Sequence, residues 1–585
     1  MHKEASVSRG DELTAPVRDT ISTTAPGLLG RMPRDLSRVA VVHEDRDLTF
    51  GDIAALSEDV SGVVRGHGLE RRVVGVPADR SPEFVARLIG LWSAGAVPAI
   101  LGDWGPERVR GALTATGAAA AFGPSPAGLE LLDTAGDDRR LLGEDLGEAS
   151  HILFTSGTTG RPKGIVVGRA AFEAASWAFF KELPMDESDR IAFLSRPGHD
   201  PSLRELIAPW LTGATLYIPG SRTAADPRLA AAWLAEHSIT VLQGSPVLLQ
   251  LMAGSSNRPV DSLRLVCSAG ARLTAAALRS TARFAPRATI ANCYGASETP
   301  QVVCMHRVPP GKGVASEDPV PIGRALGHAV VRIVPDDMSG GESPQGRLQV
   351  EAAACALGYT DGTPLLAPGH DGRRWYDTGD IVRRLPDGSM CFLRRADRQV
   401  QVNGARVELE EIEGAATRVA GVVEAVATFV EDGGGVGSVR LTVVRSPTTA
   451  VDGDELRAAL FDYLDPAVVP SSIEVRDSLP EDPGWDSAPP EDAHGEDGTA
   501  TLSEVLQECA RSALGRGSGR IDPDGGFFEA GFTSMSLMRF VSEVSVRLGA
   551  EISPVLVYRF PSLNAFADHL REHLDDLTSS SDFRR

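Results

Sequence analysis

The amino-acid sequence predicts a multidomain chain with a large α/β core, a small α+β unit and an all-α bundle at its C-terminal end. From Val39 onward, short apolar runs alternate with stretches of helical periodicity, the pattern of strands and crossover helices in a mostly parallel sheet. Beyond residue 400 the pattern changes to two β-type runs, VVEAVATFV and SVRLTVVRS, followed by one helical stretch. Glu481 to Ala500, EDPGWDSAPPEDAHGEDGTA, then carries seven acids and neither Lys nor Arg. Such a segment is too polar to pack and repels itself, so it reads as an extended linker. At 585 residues the chain is too long for one core. The expected divisions are a polar leader at 1–30, the core at 31–395, the small unit at 396–480, the linker at 481–500, the bundle at 501–575 and a tail at 576–585.

Composition narrows the function. Net charge is −21, from Asp+Glu 79 against Lys+Arg 58, which argues against a nucleic-acid or anionic-membrane surface. No run approaches the roughly 18 apolar residues of a membrane span, and the start MHKEASVSRG has no apolar signal region. A cytoplasmic protein is expected. The six cysteines form no CxxC or His/Cys cluster, so reduced thiols without a zinc site are expected. The only lysines are Lys3, Lys163, Lys181 and Lys312.

Along the chain, VAVVHEDRDLTF gives two short strands and Gly51 to Gly66 a helix. The unit repeats with a strand at Val73 to Val76 and a helix ended by Gly95. At His151 to Val167, HILFTSGTTGRPKGIVV, a buried strand over Ile152 to Phe154 meets Thr155-Ser156-Gly157-Thr158-Thr159-Gly160, closed by Lys163. Two glycines and four hydroxyls in one loop offer many donors to a single anion, which points to phosphate. It is not a Walker loop, because Gly and not Ser or Thr follows the lysine. Arg169 to Lys181 reads as a helix, and IAFLSRPGHD as a strand stopping at a polar elbow. After the elbow, LRELIAPWLTGATLYI gives a helix and a strand. ITVLQGSPVLLQL, LRLVCSAGARL and IANCYGASETPQVV are further strand-to-loop junctions, and such loops line ligand crevices at the carboxyl ends of parallel strands.

TSGTTGRPKG resembles the phosphate-binding signature of the adenylate-forming superfamily, which activates a carboxylate with ATP and passes the acyl group to a thiol. YGASETP and WYDTGD resemble the family's next two signatures. The resemblance implies an adenylation core in which Thr155, Lys163 and Glu298 are catalytic and Glu298 holds Mg²⁺. It implies nucleotide contacts from Thr155, Ser156, Gly157, Thr158, Thr159, Gly160, Lys163, Tyr294, Gly295, Ser297, Glu298, Thr299, Asp380 and Arg395. Tyr294 is expected against adenine and Asp380 on the ribose diol, a carboxylate being suited to two hydroxyls at once. FLRRADRQVQVNGARVELEEIE resembles the family's hinge, with Asp397 as pivot into a small mobile adenylation subdomain that closes differently for each step. Its helix is expected over Asp454 to Asp465.

Aligned on the same motifs, Asp200, Pro201, Arg204, Gln243, Cys267, Ala269, Cys293, Gln301 and Val302 are expected to line the substrate pocket. Asp200 matches the position that keeps an Asp for a substrate ammonium. Arg204, one helical turn on, would suit a second carboxylate or else pair Asp200 or Glu205. HDPSLRE and YGASETPQ look more like α-aminoadipate reductase adenylation domains than like standard peptide-synthetase loops. One family feature is missing. The closing lysine is replaced by Trp485 within LPEDPGWD, and no lysine follows Lys312. An arginine such as Arg476, or an activating partner protein, would have to substitute.

After the linker, helical patterns at Leu502 to Leu514, Ser534 to Leu548 and Ser562 to Leu570 make a small bundle. FFEAGFTSMSL resembles the 4′-phosphopantetheine attachment site of carrier proteins, with Ser534 as the attachment residue and Thr533 where Asp or His is commoner. The chain is thus expected to be a nonribosomal peptide synthetase adenylation and carrier didomain that activates an amino acid with ATP and loads it on its own arm. A phosphopantetheinyl transferase and a downstream condensation or tailoring enzyme would be its partners. A loader of non-amino carboxylic acids and an adenylation pseudoenzyme that presents the carrier remain as alternatives.

Overall fold

The computed structural model describes residues 35–123, 128–132, 147–476 and 502–579, apart from 45, 156–161, 257, 312–319, 336–343, 397–398, 403–404, 433–435, 447–450, 466–467, 471, 515–520, 528–529, 531, 533–536, 538–539, 542–543, 545–546, 549–551 and 553–555. The expected leader and linker, Ser156 to Gly160, Asp397, Trp485, Thr533 and Ser534 lie outside the described residues.

Where one parallel sheet was expected, the described strands of the core form three sheets. A nine-stranded sheet runs in the order 324–325, 299–308, 289–296, 265–268, 241–244, 190–192, 215–218, 39–43, 46–49. Its six inner strands are parallel, and antiparallel strands close both edges. A seven-stranded sheet holds the phosphate strand Ala149–Thr155 beside Val97–Leu101 and Val73–Pro77. A five-stranded antiparallel sheet spans 331–395. Local periodicity marks strands and helices, but it carries no information on which sheet a strand joins, so the division was not readable.

Local chemistry explains the helices. In Pro82–Ala94, Ser81 caps the first turn by accepting from the Phe84 N–H, Pro82 fills a position that needs no donor, and Gly95 ends the helix at φ 76°. Phe50, Phe84, Phe172, Phe179 and Phe193, all fully buried, pack into the largest apolar cluster, which joins the two big sheets through the helices. The strand expected over IAFLSRPGHD pairs only at Arg190–Ala192. Beyond it the Arg80 guanidinium takes the carbonyls of Phe193, Leu194 and Ser195 at 3.1 to 3.3 Å, so these groups are satisfied by a side chain and not by a neighbouring strand.

The small unit has its own cluster around Ile412, Leu441 and Leu460. It consists of a hairpin (Gln399–Val402, Ala405–Glu408), the helix Leu409–Ala416 and a sheet of Val422–Asp432, Val436–Arg445 and Ser472–Arg476. The helix expected over Asp454 to Asp465 is shorter, Gly453–Leu460. Beyond Leu460 the chain goes on in turns, the Leu464 N–H donating to the Leu460 carbonyl at 2.8 Å. The bundle closes over Leu506, Phe527, Phe540 and Phe566. Leu502–Leu514 matches its expected bounds, whereas the last helix, Leu563–Ser579, runs on into the expected tail. Among the described residues no helix is long and apolar enough to cross a membrane.

Candidate active site

The phosphate strand and the returning strand Lys163–Gly168 pair with Thr155 opposite Lys163, so both ends of the intervening loop are pinned. The Lys163 ammonium lies 3.7 Å from Asp361 Oδ2 and 3.6 Å from the centre of the Tyr359 ring. The Tyr359 hydroxyl donates to Glu298 Oε1 at 2.9 Å. A cation, a ring and a buried carboxylate therefore form one line. The Gly164 N–H donates to the Thr360 hydroxyl at 3.2 Å, and any Cβ at Gly164 would fall 2.6 Å from Thr360 Cγ2. Glycine is required there by close approach. The sequence reading missed Tyr359, Thr360 and Asp361. They lie on a short strand and turn nearly two hundred residues beyond Lys163, and no local pattern links the two.

Glu298 sits with Ser297 in the tight turn joining Thr289–Ala296 to Thr299–Val308, where Ala296 faces Thr299. The Thr299 hydroxyl accepts the Ala296 N–H at 3.0 Å and fixes that turn. A Cβ at Gly295 would meet the Gln301 carbonyl at 2.5 Å. On the neighbouring sheet, Asp380 and Arg395 face each other across antiparallel strands. Arg395 Nη1 donates to Asp380 Oδ1 at 2.7 Å, and the Tyr294 hydroxyl donates to Asp380 Oδ2 at 2.5 Å. Burial, and then the Asp380 charge, push the Tyr294 phenol well above its ordinary range. Tyr294, Asp380 and Arg395 thus form one constellation, and Lys163, Tyr359 and Glu298 another.

A third group surrounds Asp200, in the first turn of the helix Asp200–Thr212. Asp200 Oδ2 accepts from the Gln301 N–H at 2.9 Å and from Arg204 Nη1 at 3.3 Å, while Oδ1 accepts from Gln301 Nε2 at 3.2 Å. Arg204 Nε donates to Gln243 Oε1 at 3.0 Å, and its guanidinium lies 5.3 Å from the Phe179 ring centre. Arg204 is only 1% exposed, so the structure ties it to Asp200, Gln243 and Gln301 and not to Glu205. Gln301 adopts φ 69°, a conformation rare for a side chain, and this places both its N–H and its amide on Asp200. Burial outweighs these partners and pushes the Asp200 carboxyl up to about 6. Cys267 and Cys293 are buried on adjacent strands, and the Cys293 thiol donates to the Ala291 carbonyl at 3.7 Å. Val302 is buried, Ala269 packs against the core cluster, and Pro201 sits in the first turn beside Asp200. Arg476, the candidate substitute cation, pairs with Glu474 of its own strand at 2.5 Å.

Behind the pocket, Glu205 is fully buried. Its Oε1 accepts the Ser195 hydroxyl at 2.8 Å, its Oε2 has no partner, and burial pushes it up to about 8. A carboxyl raised from 4.5 holds its proton in the folded chain and loses it when unfolded, so stability falls as pH climbs from about 4.5 to 8. Glu205→Gln is expected to remove that slope, so that its stability relative to the wild type rises between pH 5 and pH 8. Urea midpoints at pH 5 and pH 8 measure it.

The profile of the AMP-binding enzyme family matches residues 31–360, and that of the phosphopantetheine attachment site matches residues 504–570. The chain is 31% identical to phenyloxazoline synthase MbtB of Mycobacterium sp. (strain MCS) over 463 residues, which cover 75% of this chain and 39% of that synthase. It therefore spans about two fifths of that relative's length. Novobiocin biosynthesis protein H of Streptomyces niveus is 30% identical over 507 residues, 80% of this chain and 82% of that protein. Among solved structures, holo-PA1221, a nonribosomal peptide synthetase protein containing adenylation and carrier domains, superposes with TM-score 0.70 at 21% identity over 92% of this chain and 94% of that one.

Proposed function

The chain belongs to the family of AMP-binding enzymes, and we propose on that premise that it activates an amino acid with ATP and loads it as a thioester on its own carrier. The observation that carries the amino-acid reading is Asp200. A buried carboxylate pushed up to about 6 despite Arg204 and Gln301 is under-compensated, and a substrate ammonium would supply the missing positive charge.

The candidate roles under this reading are these. Thr155 and the loop after it hold the phosphates, with Lys163 at the mouth as their cation. Glu298 is a hard oxygen donor beside them, the ligand type Mg²⁺ takes, and the ion's chemistry would be charge neutralisation on the phosphates. Asp380, set by Tyr294 and Arg395, accepts the ribose hydroxyls. Ser534 would hold the phosphopantetheine arm, whose thiol would supply the nucleophile that takes the acyl group as AMP leaves and the thiol proton passes to solvent or to the departing phosphate.

A second reading, a carboxylic acid without an amine, is favoured by the Arg204 contact, because a guanidinium already stands on Asp200. Wild-type binding of an amino acid and of its 2-hydroxy analogue separates the two. Discrimination of about 10- to 100-fold for the amine is expected, as for a lost charge-assisted hydrogen bond. The carboxylate ionises above about pH 6, so amino-acid affinity should fall about tenfold per pH unit below 6, while the hydroxy analogue shows no such slope. Equal affinities at all pH values would support the second reading.

A further inference from the structure

The core and the small unit meet through charged side chains of opposite sign. Arg108 of the core helix Pro106–Thr116 donates to Glu411 Oε1 at 2.8 Å and to the Tyr463 carbonyl at 2.9 Å. Arg196 forms an ion pair with Asp465, and the Trp104 indole donates to the same carboxylate at 3.1 Å. A Cβ at Gly105 would lie 2.9 Å from the Phe461 carbonyl, so the backbones also touch. Two cations on one body thus face two anions on the other.

These contacts reach both halves of the candidate active site. The Trp104 ring packs edge-on against Phe154, next to Thr155, at 5.6 Å. Arg196 lies four residues before Asp200, in the loop that carries His199. Phe461 packs against the small unit's apolar cluster and also against that of the bundle. The segment from Phe461 to Asp465 therefore touches the core, the small unit and the carrier together.

The main ion pair is built to open. Glu411 is fully buried and Arg108 nearly so, yet Arg108 Nε and Glu411 Oε2 are buried without partners. A buried pair with one orphan on each side retains much of its desolvation cost, which makes it a specific but releasable clamp. Resting on the activation and loading reading, we propose that Arg108, Trp104 and Arg196 with Glu411 and Asp465 are positioning residues. They form a latch that holds the small subdomain in one of the two orientations the half-reactions require, and through Phe461 they couple its release to the carrier. None of these side chains needs to touch substrate. Their effect is on which orientation is populated.

The test uses the full chain carrying its arm. Glu411→Gln with Asp465→Asn removes both anions at nearly constant volume, and Arg108→Glu with Glu411→Arg swaps the buried pair. Pyrophosphate exchange reads adenylation, and single-turnover acylation of the arm reads loading. The double neutral variant should shift the ratio of the two rates at least tenfold, one rising as the other falls, with the charge swap returning it toward wild type. Both rates falling together, or a ratio unchanged in the neutral variant, overturns the latch. Hydrogen exchange in the helices Pro106–Thr116 and Leu409–Ala416 needs no turnover. Faster exchange in the neutral variant is expected even in a chain that activates no amino acid, and unchanged exchange overturns the proposal independently of the catalytic reading.

Discussion

Ser534→Ala is expected to abolish thioester loading completely while leaving ATP binding intact. The arm is a covalent ester of one hydroxyl, so removing that oxygen leaves nothing for the transferase to modify. The carrier's apolar cluster draws on Leu506, Phe527, Phe540 and Phe566, and the substitution deletes a single hydroxyl, so the bundle should keep its fold. Incubation with CoA and a broad-specificity phosphopantetheinyl transferase, read by intact mass, should add one arm to the wild type and none to the variant. An arm still added to the variant would place the attachment site elsewhere.

Trp485→Lys is expected to accelerate adenylate formation by as much as about 10²–10³, the usual effect of one well-placed donor on a developing charge. No lysine follows Lys312, Arg476 is occupied by Glu474, and Arg108 and Arg196 are engaged by carboxylates of the small unit. The wild type should therefore bind ATP yet exchange pyrophosphate slowly unless a partner supplies a cation. Stopped assays of pyrophosphate exchange on both proteins measure it. Fast exchange by the wild type, unimproved by the lysine, would mean that the cation is dispensable here.

Much of this chain was legible because its signals are local. Ser81-Pro82 and Gly95 bracket a helix in sequence as they do in space, and the apolar spacing of Leu502 to Leu514 needs no partner to be read. What escaped is what depends on distant partners. Tyr359 bridges Lys163 and Glu298 across three separate segments. Arg108 and Glu411 are 303 residues apart, and Arg108 carries no motif. The strand after Ala192 was overread because its apolar run is satisfied by Arg80, a side chain far back in the chain. Arg204 illustrates a subtler limit. Its spacing from Asp200 was readable, but whether it faces a ligand or its neighbours depended on Gln243 and Gln301, which arrive from other strands.

Loading of an ATP-activated amino acid on this chain's own arm is the expected outcome. It is tested most directly by intact-protein mass spectrometry of the arm-bearing wild type after long incubation with ATP, Mg²⁺ and a mixture of amino acids. The expected result is one aminoacyl adduct on the peptide containing Ser534, absent without ATP and released by hydroxylamine. An arm that stays unacylated by every amino acid, or that takes up only acids lacking an amine, would contradict it.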